Sequence, residues 1–232
     1  MDSFGSIAWS SVGKKVITGI TGFALVGFVI VHLLGNLTLL IGSHAFNGYA
    51  HFLETAVHGW LIYAFEFLLF FVFVFHIVAA VTVAWADKRK AREVGYKYSK
   101  DAGGKSQKSL ASKTMIYSGA IILVFVIAHI FLFKFNGGNP FPHDAQGHKD
   151  LYGVVDQVFG GLGFTIFTVV AMLLLGFHLR HGVWSAFQSL GWANLRSLPL
   201  LVNLARVLAV LLAVGFILLP IFMYLTAAKG GH

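Results

Sequence analysis

The chain has 232 residues, of which 57% are hydrophobic and 11% charged, with a mean hydropathy of +0.79 and a net charge of +8. Soluble domains carry about 25% charged residues, so we expect a single integral membrane domain over residues 1–232. The absence of cysteine excludes disulfides, thiolate metal sites and covalently attached haem. The basic residues cluster at the ends of apolar stretches, which favours membrane orientation over nucleic-acid binding.

Five apolar stretches are long enough to cross a bilayer, which takes about 20 residues. They cover about 16–41, 56–86, 114–135, 157–179 and 199–228, and the fourth helix is expected to continue to about 188. We therefore predict an all-α bundle of five transmembrane helices. No internal repeat is evident in these stretches, because the residues that flank their histidines differ.

Basic residues alternate between the two ends of the predicted helices. The segment 87–113 after the second helix is strongly basic, Arg180 and Arg196 flank the fourth connection, and Lys14 and Lys15 precede the first helix. Cytoplasmic connections of membrane proteins are enriched in Lys and Arg. This pattern predicts a bacterial inner-membrane protein with its N-terminus in the cytoplasm and its C-terminus outside.

One histidine lies inside each of the first four apolar stretches: His32, His76, His129 and His178. Ionisable side chains within a bilayer are costly and usually functional. At 1.5 Å per residue, His32 and His129 lie about 25 Å from the cytoplasmic ends of their helices. His76 and His178 lie about 30 Å from the outer ends. Depth therefore predicts an outer pair, His32 with His129, and an inner pair, His76 with His178.

Two histidine pairs at two depths are what two stacked haems b with two axial imidazoles each require. A proton relay or a metal site is an alternative, although Glu66 is the one carboxylate expected inside these helices. Glycines are frequent near the histidines, for example Gly22, Gly35 and Gly176. They either admit a porphyrin or allow close helix packing.

The sequence resembles the five-helix, two-haem cytochrome b subunit of succinate:quinone oxidoreductases, which include succinate dehydrogenase and fumarate reductase. The resemblance rests on HLLGN from residue 32, AFNGYAHFLET from residue 45, YAFEFLLFFVFVFH from residue 63 and FHLRHGVWSAFQSLGW from residue 177. The last motif implies that His178 is a haem ligand and His181 its neighbour. By the same match, His32, His76 and His129 are the other ligands of the haem irons.

The resemblance implies a membrane anchor for an enzyme complex of the respiratory chain and the tricarboxylic acid cycle. A flavoprotein with FAD and an iron–sulfur protein are expected on the cytoplasmic face, with no succinate chemistry on this chain. The basic segment 87–113 and the region of Trp184, Ser185, Gln188 and Trp192 are their expected platform. The basic segment has an equally good explanation in topology and anionic lipid.

A quinone, either menaquinone or ubiquinone, is expected near the outer haem, where it needs hydrogen-bond partners and protons. The candidates are protonatable or hydrogen-bonding residues near the outer ends of the helices: His44, Asn47, Tyr49, His51, Glu54 and Glu66. His44, His51 and His58 are spaced by seven, so they would align on one helical face as a weak candidate metal site.

Haem propionates need cationic or hydrogen-bonding partners, for which Lys15, Arg180 and His181 are the candidates. The resemblance leaves the direction of electron flow open, so an anchor of a quinol:fumarate reductase is an alternative. A haem-free transporter is an alternative from another class, and it predicts inverted repeats. The anchor of a nitrate reductase or formate dehydrogenase is a further alternative that the fourth-helix motif disfavours.

Overall fold

The computed structural model describes residues 9–87 and 110–228. Seven α-helices make up most of these residues: α1 (Ser11–Asn36), α2 (Ser43–Thr55), α3 (Trp60–Val81), α4 (Leu110–His129), α5 (Leu151–Phe159), α6 (Leu162–Ser189) and α7 (Leu198–Ala227). Five of the helical segments are long and apolar enough to cross a membrane, and they contain α1, α3, α4, α6 and α7. The prediction of an all-α fold with five membrane-capable helices is therefore confirmed.

The first helix begins earlier than predicted because its cap lies outside the apolar stretch. The Ser10 side chain accepts a hydrogen bond from the Gly13 N–H at 3.0 Å, which satisfies one of the free donors of the first turn. The last helix has a proline in its first turn, and Pro220 in its interior does not interrupt it.

The predicted start of the fourth span at residue 157 is wrong. The chain forms α5, breaks at Gly160 and Gly161, and begins the long helix α6 at Leu162. The Thr165 hydroxyl donates to the carbonyl of Phe159 at 2.9 Å across this break. The apolar sequence is continuous through the break, so hydropathy alone assigns one helix where there are two.

The core has two parts, which are two separate clusters of buried residues. In the first part, α1 and α6 pack against α7, with Val26, Leu179 and Leu212 among the buried residues. In the second part, α5 packs against the end of α7 and α2 packs against α5, with Phe46 and Met223 among the buried residues. The last helix therefore packs against the bundle and carries no histidine, as the sequence predicts.

Many large apolar side chains of the membrane-capable helices are exposed, for instance Phe67 at 67%, Phe70 at 62% and Ile127 at 61%. Such an extensive apolar surface is unfavourable in water and favourable in a lipid environment.

Asn47 joins the two outer segments of the chain. Its side chain is 1% exposed, and its amide donates to Asp150 at 2.9 Å and to Asp144 at 3.3 Å. Its carbonyl accepts from the Tyr152 N–H at 2.8 Å. We call the segment 144–152 together with Asn47 the outer cap. Asn47 was a candidate quinone ligand, but these bonds give it a structural role.

Asp144 is the most strongly hydrogen-bonded acid of the outer cap. Burial raises the pKa of its carboxyl, but hydrogen bonds from the N–H groups of His148 and Gln146 and from the Asn47 amide outweigh that effect. The pKa of Asp144 therefore lies below its ordinary value, so the cap depends on the ionised form.

Candidate functional site: two histidine pairs inside the helix bundle

The outer pair consists of His32 on α1 and His129, the last residue of α4. Their ring centres are 5.8 Å apart, and their planes are inclined by 84°. After His129 the chain continues as a π-helical turn, Ile130–Lys134, a local widening that is frequent at functional sites. Phenylalanine rings surround the pair: Phe28, Phe125, Phe133 and Phe216.

The inner pair consists of His76 on α3 and His178 on α6. Their ring centres are 6.5 Å apart, with planes inclined by 61°. The Nδ1 atom of His76 lies 3.2 Å from the Thr21 hydroxyl, and Nδ1 of His178 lies 3.1 Å from the Ser118 hydroxyl. The structure thus brings together the same two pairs that depth predicts from the sequence.

The spacing within each pair can be compared with that of two imidazoles on one iron. An imidazole nitrogen binds a first-row metal ion at about 2.0 Å and lies about 1.2 Å from its ring centre, so two axial rings lie about 6.4 Å apart. The observed separations of 5.8 and 6.5 Å are close to this value. Both pairs therefore fit axial ligation of a haem iron.

Glycines next to the inner pair leave room for its rings. A Cβ atom on Gly22 would lie 3.5 Å from Cε1 of His76, and one on Gly119 would lie 3.5 Å from Cε1 of His178. Other glycines near the histidines serve helix packing instead. A Cβ on Gly176 would lie 2.9 Å from Ala213, and one on Gly35 would lie 2.6 Å from the Tyr49 ring.

His181 is one turn beyond His178 and is partly buried. Its Nδ1 atom is buried without a hydrogen-bond partner in the described part of the chain, and its ring lies 5.3 Å from that of Trp184. Leaving a buried polar atom without a hydrogen-bond partner costs free energy, so Nδ1 of His181 is suited to bonding a polar ligand group such as a propionate. Arg180 and Lys15 are exposed, whereas the neighbouring Lys14 is buried.

The candidate quinone residues near the outer end are not gathered at one point. The ring of His51 stacks on that of His148 at 3.9 Å, and Glu54 accepts from Lys149 at 2.9 Å. His44 is exposed, and Tyr49 packs against α1. These contacts join α2 to the outer cap.

Glu66 lies within α3 and forms an ion pair with Lys134. Lys134 ends the π-helical turn that follows His129. A carboxylate and an ammonium group in an apolar region are stabilised by pairing. The pair therefore joins α3 to the turn that follows His129.

The candidate metal site of His44, His51 and His58 is not formed. The helix α2 ends at Thr55, and His58 lies in a short turn with a left-handed backbone, at φ 55°. Across residues 9–87 and 110–228, no cluster of three histidine or acidic residues is suited to a metal ion. The spacing of seven aligns side chains only while the helix continues.

The expected docking platform is described only in part. Trp184, Ser185 and Gln188 lie on the last turns of α6. The ring of Trp192 is stacked with that of Phe23, with their ring centres 6.1 Å apart. Nearly all of the basic segment 87–113 lies outside the described residues, since it is described only at its two ends.

Sequence reasoning missed Thr21 and Ser118 as partners of the inner histidines. A signal for both was present, because residues 21–32 read TGFALVGFVIVH and residues 118–129 read SGAIILVFVIAH. The two segments share a hydroxyl residue, the glycine after it, the F-V-I run and the final histidine. The expectation that the spans contain no repeat is therefore wrong for α1 and α4.

No family model and no solved structure matches the chain. Among curated proteins, the succinate dehydrogenase cytochrome b558 subunit of Bacillus subtilis (strain 168) is 26% identical over 159 residues, which is 68% of this chain and 69% of that protein. The resemblance inferred from the sequence motifs is confirmed by this match, and over two thirds of its length this chain is similar to a succinate dehydrogenase cytochrome b subunit.

Proposed function

We propose that this chain is the dihaem cytochrome b anchor of a succinate:quinone oxidoreductase in a bacterial inner membrane. His32 and His129 hold the outer haem b, and His76 and His178 hold the inner one. Electrons enter from an iron–sulfur subunit on the cytoplasmic face, which receives them from a flavoprotein with FAD. They leave to a quinone near the outer haem.

The observation that carries the proposal is the pairing of four histidines from four helices at separations close to those of axial ligands. Ligands on four separate helices fix the iron positions only when the whole bundle is assembled. The similarity to a succinate dehydrogenase cytochrome b subunit supports the same assignment.

The residues of the chain have distinct tasks in this proposal. When bound, a haem would supply a one-electron carrier, and two histidine ligands on its iron would favour electron transfer over oxygen binding. The histidine pairs therefore hold the two carriers at fixed positions and close them to other ligands. The Phe rings around the outer pair exclude water from it.

The outer end supplies protons in this proposal. Oxidation of succinate to fumarate releases two electrons and two protons on the partner subunit, and reduction of the quinone consumes two electrons and two protons. His51, Glu54 and Glu66 are the protonatable groups proposed for this step, with His44 and Tyr49 as further hydrogen-bonding candidates. His181, Arg180 and Lys15 are proposed as partners of the inner haem propionates.

A pyridine haemochrome assay on the purified chain tests the haem assignment. We expect two haems b per chain, and one haem in each of the variants His32→Ala and His76→Ala, because each removes a ligand from a different level. His143→Ala is the matched control, since this exposed histidine lies in the outer loop and both haems should remain. Less than about one haem per wild-type chain would refute the proposal.

The partner assignment has a separate test. Co-expression with the soluble flavoprotein and iron–sulfur subunits should retain succinate dehydrogenase activity in the membrane fraction. Activity that remains in the soluble fraction in the presence of the haem-loaded chain would contradict it.

A further inference from the structure

The hydroxyl groups of Thr21 and Ser118 contact the inner histidines in the same way. Thr21 is 9% exposed and Ser118 is 3% exposed, so both bonds are shielded from water. Their oxygens lie 3.2 and 3.1 Å from Nδ1 of His76 and of His178. Each hydroxyl belongs to a helix other than that of its histidine.

Each hydroxyl has a single proton and a backbone carbonyl of its own helix within hydrogen-bond distance. Thr21 donates its proton to the carbonyl of Ile17 at 2.7 Å, and Ser118 donates to the carbonyl of Met115 at 3.0 Å. With that proton on the carbonyl, each hydroxyl oxygen is an acceptor toward the histidine, so Nδ1 carries the proton, and the carbonyls of Thr18 and Met115 are further acceptors for the two rings. The other ring nitrogen, Nε2, is left with its lone pair, which is the form that binds a metal.

The repeat in α1 and α4 places this arrangement at equivalent positions. In each helix the hydroxyl residue precedes the outer histidine by eleven residues, from Thr21 to His32 and from Ser118 to His129. Eleven residues are about three turns and a rise of about 16 Å, so both groups lie on the same helix face. Each helix therefore contributes a ligand at the outer level and a hydroxyl at the inner level.

The outer pair has different surroundings. Within the described residues, neither the His32 ring nor the His129 ring forms a hydrogen bond, and aromatic rings contact both. The two levels thus differ in the groups around the ligands, although the ligands themselves are alike.

We propose that Thr21 and Ser118 are positioning residues of the inner haem, an inference that rests on the proposed function. They fix the orientation and protonated nitrogen of His76 and His178. By accepting hydrogen bonds from the Nδ1–H groups they also give both ligands more negative character, which stabilises the oxidised iron. The outer haem receives no such effect from α1 and α4.

Redox titration of the purified chain, followed by its visible spectrum, tests this inference. Thr21→Val and Ser118→Ala should each raise the midpoint potential of the inner haem and leave the outer haem unchanged. We expect a three- to tenfold larger ratio of reduced to oxidised inner haem at a fixed potential, roughly the effect of one hydrogen bond. A tenfold change equals about 59 mV for one electron. The inner haem is identified as the one that His76→Ala removes.

Two control variants separate positioning from packing. Thr21→Ser keeps the hydroxyl and should retain the wild-type potential. Thr168→Val removes a buried hydroxyl that bonds only to the Phe164 carbonyl of its own helix, at 2.9 Å, and should change neither haem.

The outcomes distinguish this inference from the proposed function. A wild-type chain without haem contradicts the proposed function. Two haems in the wild type with unchanged inner potential in Thr21→Val and Ser118→Ala overturn the inference alone. Selective loss of the inner haem in Thr21→Val, with rescue in Thr21→Ser, supports it. Equal loss in both Thr21 variants assigns the residue to packing and overturns it.

Discussion

Replacing Asn47 by leucine should destabilise the outer cap. Leucine has the same branched shape but no polar group, so all three side-chain bonds of Asn47 are lost. The buried N–H of Tyr152 loses its acceptor at 2.8 Å, and Asp150 loses a donor at 2.9 Å while keeping that of Gly153. The bond to Asp144 is longer, at 3.3 Å, and contributes less.

The size of the effect follows from these two main losses. A buried N–H without a partner costs about 1–3 kcal/mol, and a hydrogen bond to a charged group is worth about 1.5–3 kcal/mol. We expect a loss of about 3–5 kcal/mol in the free energy of unfolding, since leucine recovers part of the cost by apolar packing. At about 2–4 °C per kcal/mol, the melting temperature should fall by roughly 6–20 °C.

Tryptophan fluorescence during thermal unfolding of the purified chain in detergent measures this shift. Asn139→Leu is the matched control, because Asn139 is exposed in an outer loop and, among the described residues, its side chain bonds locally to the carbonyl of Asn136. A decrease for Asn47→Leu no larger than that of the control would refute the assignment of Asn47 as the anchor of the cap.

Two further predictions concern the cap and the inner pair. Because the folded pKa of Asp144 lies below its unfolded value, ionised Asp144 stabilises the cap above about pH 4, and this contribution is lost as the pH falls through the folded pKa. The difference in melting temperature between wild type and Asp144→Asn should therefore shrink below about pH 4, and a constant difference would contradict the assignment. Gly22→Ala should keep both haems, since its Cβ lies 3.5 Å from His76, whereas Gly22→Leu should lose the inner one in the haemochrome assay. Two haems in Gly22→Leu would show that the space beside His76 is not needed.

The number of membrane-capable helices and the histidine pairing could be predicted from the sequence. Both depend on properties that act along one helix, namely apolar length and the rise per residue. Sorting His32 with His129 by depth needed no knowledge of which helices touch. The break at Gly160 and Gly161 could not be found in this way, because both sides of it are apolar.

Contacts between distant parts of the chain were harder to predict. In the sequence, Asn47 looks like a candidate for binding a quinone. Its role in holding the outer cap is visible only from its hydrogen bonds to residues about a hundred positions away. Thr21 and Ser118 were overlooked because a hydroxyl in an apolar helix usually bonds to its own backbone. Comparison of α1 with α4 would have drawn attention to both.

The eleven-residue spacing in α1 and α4 has a mechanical consequence. A helix that slides along its axis or rotates would displace a histidine at one level and a hydroxyl at the other in the same movement. In the proposed function, the same two helices would therefore hold both haem levels in a fixed relative position. A distortion of either helix at one level would also displace its side chain at the other level, about 16 Å away along the helix axis.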